Sequence, residues 1–97
     1  MEVETHWIEN EFGYCCYVFD HDNTKENKLY AEVFHLRVYP EFRKQGKSRK
    51  ILQEAIDSIR KTGYSDEIRI EALPEENSIS LEELTLFYKR MGFKIYK

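Results

Sequence analysis

The segment Arg43-Lys44-Gln45-Gly46-Lys47-Ser48-Arg49-Lys50 carries five cations and no acid in a chain that is otherwise acidic. It follows a strand candidate ending at Val38 and opens a helix, a place where free backbone N–H groups and the helix dipole converge on an anion. Gly46 would let the backbone approach a pyrophosphate closely, and the neighbouring Arg and Lys side chains would pair with a further phosphate. The same run also reads as a solvated basic helix start with Gly46 as a turn residue, and composition alone ranks that reading first. The spacing of a nucleotide P-loop is absent.

Other reactive residue types form no pattern. Cys15 and Cys16 are adjacent, point to opposite faces of an extended segment and are too strained to bridge each other. They read as reduced thiols. His6, His21 and His35 show no metal-ligand spacing with them, so no metal is expected.

The elements that position the basic loop follow from periodicity. Thr5 to Glu9 and Tyr14 to Phe19 read as strands, with Glu11-Phe12-Gly13 as the turn between them. Asp20 to Lys28 reads as a hairpin loop. Leu29 to Tyr39 is the longest strand, with Ala31, Val33, His35 and Arg37 on one face and Glu32, Phe34, Leu36 and Val38 on the other. From Lys47 to about Thr62 the period becomes helical, because Ile51, Leu52, Ala55, Ile56 and Ile59 fall on one stripe that Gly63 closes. Glu67 to Leu73 alternates as a strand and stops at Pro74. Ser80 and Glu83 form a capping box for a helix carrying Leu81, Leu84, Phe87, Tyr88 and Met91 and ending at Gly92, before a last strand Phe93 to Tyr96. The order β-β-β-α-β-α-β predicts an α+β fold, a mixed sheet antiparallel in its first half and joined by βαβ crossovers in its second.

Composition bounds the rest. At 97 residues, 41% apolar and 34% charged, the chain is expected to form one domain over residues 1–97, because it is too short to divide its apolar side chains between two cores. No apolar run reaches the ~20 residues of a membrane helix, and residues 1–6 lack the basic start and apolar centre of a signal peptide, so a cytoplasmic setting is expected. A net charge of −3 argues against a general nucleic-acid binder. No aromatic interrupts Arg43 to Lys50 to stack on bases, which weakens that reading further.

Two stretches carry a family resemblance. Leu36, Val38, Pro40, Phe42, Arg43, Gly46 and Ser48 stand at the spacing of the acetyl-CoA signature of the GNAT N-acetyltransferase superfamily. Phe87-Tyr88-Lys89-Arg90-Met91-Gly92-Phe93 resembles its second signature, and the two occur in the right order with a helix and a strand between them. The resemblance, from Leu29 to Tyr96, reverses the ranking given to the basic loop. It implies a GNAT-like mixed sheet in which Leu29–Val38 parts from Glu67–Leu73, with the pantetheine arm of acetyl-CoA in the opening. Backbone groups of Leu36, Arg37 and Val38 would bond the arm, and the loop from Arg43 through Lys44, Gln45, Gly46, Lys47, Ser48 and Arg49 would cradle the pyrophosphate. Ser48 replaces the usual Gly or Ala, and Lys44 takes a place often filled by Gly.

The activity implied is transfer of an acetyl group to an amine by direct attack on the thioester, through an oxyanion stabilised by backbone N–H groups. Tyr88 matches the tyrosine that protonates the departing thiolate, and it is also a core aromatic by its place on the helix stripe. Glu71 and then Glu32 are the candidate bases, with His35 a third, while each is also an ordinary exposed strand residue. An amine arriving neutral would need none of them.

The sequence departs from the family in two regions. Leu81 stands where many members carry Asn, and the Pro74–Ser80 connection is longer than usual, with Asn77 as a substitute contact or a turn cap. The strand and two helices that usually build the acceptor pocket have no counterpart before Thr5. The acceptor class implied is a small-molecule or peptide amine, and exposed sheet edges suggest a homodimer. The competing reading is a CoA-binding module or accessory subunit without turnover.

Overall fold

The computed structural model describes residues 4–71 and 80–96. Five strands, β1 (His6–Asn10), β2 (Gly13–His21), β3 (Leu29–Val38), β4 (Ile68–Glu71) and β5 (Lys94–Tyr96), form one sheet in sequence order. Helix α1 (Ser48–Thr62) joins β3 to β4, and α2 (Leu81–Met91) lies between β4 and β5. The first three strands are antiparallel, and β3, β4 and β5 are parallel. This is the α+β order that periodicity predicts. Ala72, Leu73, Pro74 and Asn77 lie outside the described residues.

Both crossovers step the same way across the sheet, so right-handed connections place both helices on one face. One core results. Ile51, Leu52, Ala55, Ile56 and Ile59 of α1 and Leu84 and Tyr88 of α2 pack with Cys15, Tyr17, Ala31, Val33, Ile68 and Ile70. Each of the α1 residues contributes stabilisation on the order of 1–3 kcal/mol by leaving water. The opposite face carries Trp7, Glu9, Tyr14, Cys16, Val18, Glu32, Phe34, Arg69 and Glu71, as the pairing register requires. Among the described residues no helix covers it.

Local chemistry ends the elements where expected. The side-chain oxygen of Asn10 accepts the N–H of Phe12 at 2.9 Å, and Asn10 pairs with Gly13, which leaves Glu11 and Phe12 as the hairpin turn. Gly63 and Gly92 close α1 and α2 in left-handed conformation, with φ of 72° and 103°. Ser80 caps α2 by accepting the N–H of Glu83 at 3.2 Å.

The alternation expected along β3 fails at one residue. Tyr14 pairs with Arg37 and Cys16 with Phe34, so one residue of β2 faces two of β3, His35 and Leu36. His35 has φ 54°, the left-handed region, which marks it as the extra residue of a β-bulge. Beyond it the faces exchange. Leu36 and Val38, expected beside Glu32 and Phe34, pack against the core instead.

Candidate active site

The ladder between β3 and β4 is short. Its partners are Ala31 with Ile68, Glu32 with Arg69 and Val33 with Ile70, and no pairing continues beyond Val33 among the described residues. The bulge at His35 follows at once. A bulge of this kind bends its own strand and increases the local twist. Leu36, Arg37 and Val38 lie on the arm of β3 beyond the bulge, where Arg37 pairs with Tyr14 and Val38 with Gly13 of β2.

Past this arm the chain makes a 3₁₀ turn at Pro40–Phe42 and then the basic loop. Lys44 and Gly46 both hold positive φ, 64° and 70°, and this pair of left-handed residues curls the loop into the start of α1. Phe12 anchors the curl from below: its carbonyl accepts the N–H of Tyr39 at 2.8 Å, and its ring meets Phe42 edge-on at 5.1 Å. Lys47 lies over the same ring at 4.6 Å. Arg43 donates through Nε to the Val38 carbonyl at 3.2 Å, and Gln45 through Nε2 to that of Glu41 at 3.0 Å. These two side chains hold the loop's own shape, while Lys44, Arg49 and Lys50 are exposed.

The first turn of α1 has no side-chain cap and no acidic residue. Positive charge from Lys47, Arg49 and Lys50 adds to the positive end of the helix dipole, an unfavourable arrangement that a bound anion relieves. A phosphate group fits that arrangement; a cation does not.

The three proposed catalytic residues divide between the two faces of the sheet. Tyr88 is buried on the helix face, its ring 5.6 Å from Phe87 and 5.8 Å from Phe93. Glu32 and Glu71 lie on the open face, near the end of the β3–β4 ladder. Burial raises the Glu32 carboxyl above its usual range, the charges of Asp20 and Glu71 add to the rise, and Arg69 opposes it. Glu32 and Glu71 thus share one electrostatic neighbourhood. His35 is exposed at the bulge, its ring beside Phe34. The Cys15 thiol is pushed up to about 12 by burial and by the charges of Cys16 and Glu54, and burial also raises Cys16, so neither serves as a thiolate near neutral pH.

The sequence matches the family model of the acetyltransferase (GNAT) domain over residues 2–95. The chain belongs to the GNAT acetyltransferase family. No curated protein matches it by sequence. By structure this GNAT domain resembles an acetyltransferase of Trypanosoma brucei, with a TM-score of 0.57 at 14% identity over 89% of this chain and 54% of the other. It also resembles a "putative acetyltransferase" of Agrobacterium tumefaciens, with a TM-score of 0.60 at 16% identity over 93% and 61% of the two chains. At such identities the likeness is one of fold. The GNAT domain here spans little more than half the length of these two structures.

Two contributors to the site escape a reading of motifs. Phe12 lies far from the loop in sequence, and only the hairpin brings it beneath Lys47. The His35 bulge has no compositional signal, although the run Phe34-His35-Leu36-Arg37-Val38 contains its trace: apolar Leu36 and Val38 fall out of step with Ala31 and Val33.

Proposed function

We propose that this GNAT domain binds acetyl-CoA where β3 parts from β4 and transfers the acetyl group to an amine on the open face of the sheet. The end of the β3–β4 ladder at Val33 and Ile70, directly before the His35 bulge, carries this reading. In this reading the arm Leu36–Val38 bonds an extended ligand as an added strand would. The N–H groups from Lys44 to Arg49 supply the anion-binding end.

The amine loses a proton as it attacks the thioester carbon, and Glu71 or Glu32 accepts that proton directly or through water. Burial raises the proton affinity of the Glu32 carboxylate above that of an ordinary glutamate, which suits it to accept a proton. Backbone N–H groups beside the bulge stabilise the oxyanion. When the tetrahedral intermediate collapses, the C–S bond breaks and Tyr88 gives its phenolic proton to the departing thiolate.

The test is thiol release from acetyl-CoA across a panel of amines, run beside a calorimetric titration with CoA. Release that depends on the acceptor is expected. Saturable CoA binding with no release from any amine would leave a CoA-binding module, and absence of CoA binding would remove both readings.

A further inference from the structure

The open face carries a second cluster that this transfer reaction leaves unassigned. A depression of about 300 Å³ at the β1 side of the sheet is lined by Trp7, Glu9 and Tyr14. Trp7 is 61% exposed. Its ring lies 5.8 Å from that of Tyr14 at an interplanar angle of 54°, and Tyr14 lies 6.3 Å from Tyr39 at 59°. The rings are tilted walls, not a closed stack. Glu9 completes the set: the Tyr39 hydroxyl donates to its Oε2 at 2.5 Å, which fixes the carboxylate beside the rings.

We propose that Trp7, Glu9 and Tyr14, with Tyr39 holding Glu9 in place, form a subsite for an alkylammonium group. Aromatic faces carry negative electrostatic potential and attract a cation, most strongly at Trp, and a fixed carboxylate adds a full charge. A neutral apolar occupant would gain contact with the rings but strip water from Glu9 without replacing it. Arg37 flanks Tyr14 from β3, on the side away from Glu9. Glu9 therefore stays the charged group that lines the depression.

The subsite shares its face with Glu32 and Glu71. From Trp7 through Cys16 to Phe34 is two strand spacings, and Glu32 is two residues further along β3, a separation of about 12 Å by sheet geometry. An acceptor reaching both places carries a second cationic centre on an extended chain beyond the amine that reacts. That last step rests on the acetyl-transfer reading; the subsite itself does not.

Trp7 is the one tryptophan of the chain, so its fluorescence reports occupancy of the subsite without any need for turnover. The wild-type protein and Glu9→Gln are titrated with choline and with its neutral tert-butyl analogue, in the absence of acetyl-CoA. A saturable change in Trp7 emission is expected with choline, at least fivefold weaker with the neutral analogue and five- to tenfold weaker in Glu9→Gln. Equal responses to choline and its analogue would make the depression an apolar patch and overturn the proposal. So would an emission shift on raising protein concentration alone, which would assign the face to a second copy of the chain. Thiol release from any amine, measured separately, tells a failed subsite from a failed acetyltransferase.

Discussion

Gly13 lies so close to Arg37 that a β-carbon added to it would stand 2.0 Å from the Arg37 carbonyl oxygen. The same atom would meet Ile51 Cδ1 and Val38 Cα, each at 2.9 Å. The start of β2, the end of β3 and the first turn of α1 converge on this residue. Gly13→Ala is therefore expected to push the arm away or to unfold the domain, with a loss above about 3 kcal/mol in urea unfolding, larger than a typical point substitution. A loss under about 1 kcal/mol would mean that the arm is not held by this contact.

Lys44 and Gly46 occupy the same left-handed region, and only one of them is glycine. A side chain there costs about 1 kcal/mol. Nothing lies within 4 Å of a β-carbon placed on Gly46, so strain alone decides the outcome. Lys44→Gly is expected to raise stability by about 0.5–1 kcal/mol, and Gly46→Ala to lower it by about 1 kcal/mol. Thermal melts of the two variants check the opposite signs. Lys44→Gly should also make CoA affinity less sensitive to salt, since one cation is gone.

Glu32 is raised by burial first and then by the charges of Asp20 and Glu71. A carboxyl raised in the folded state binds its proton more tightly there than in the unfolded chain. Its favourable contribution is full below the ordinary glutamate range and disappears as pH climbs through the raised value. Glu32→Gln is accordingly expected to match or exceed the wild type in stability at neutral pH and to lose its advantage in acid. If Glu32 is the base, the same variant should lower the rate at least tenfold at neutral pH and remove the acid limb of the pH–rate profile. Unfolding and rate measured across pH separate the two effects, and a variant less stable than wild type at neutral pH would show that Arg69 outweighs the burial of Glu32.

Tyr88 packs between Phe87 and Phe93, and phenylalanine in its place keeps those ring contacts. Tyr88→Phe is expected to lower kcat by roughly 10²–10⁴-fold, the usual range for loss of a positioned acid, with CoA affinity within about twofold. Unchanged turnover would reduce Tyr88 to a core aromatic.

Much of this arrangement is legible along the chain because it depends on short-range physics. The stripe Ile51, Leu52, Ala55, Ile56, Ile59 dictates an amphipathic helix, Gly63 and Gly92 stop the two helices, and Ser80 starts the second. The spacing from Leu36 to Ser48 and from Phe87 to Phe93 points to the family without any coordinates. Face assignment along β3 was legible only as far as Phe34. A period of two carries no warning of an inserted residue, and the bulge at His35 depends on β2 offering one residue, Cys15, opposite two.

The sequence by itself determined the elements, their order and the composition of the basic loop, since propensity, capping and charge act between near neighbours. Only the tertiary structure decided that both helices share one face, that β3 bulges at His35, and that Phe12 lies beneath Lys47. It alone gathered Trp7, Glu9 and Tyr14 around one depression and brought the Tyr39 hydroxyl to Glu9. Those are contacts between residues distant in the chain, and the pairing register and packing that create them exist only once the sheet has closed.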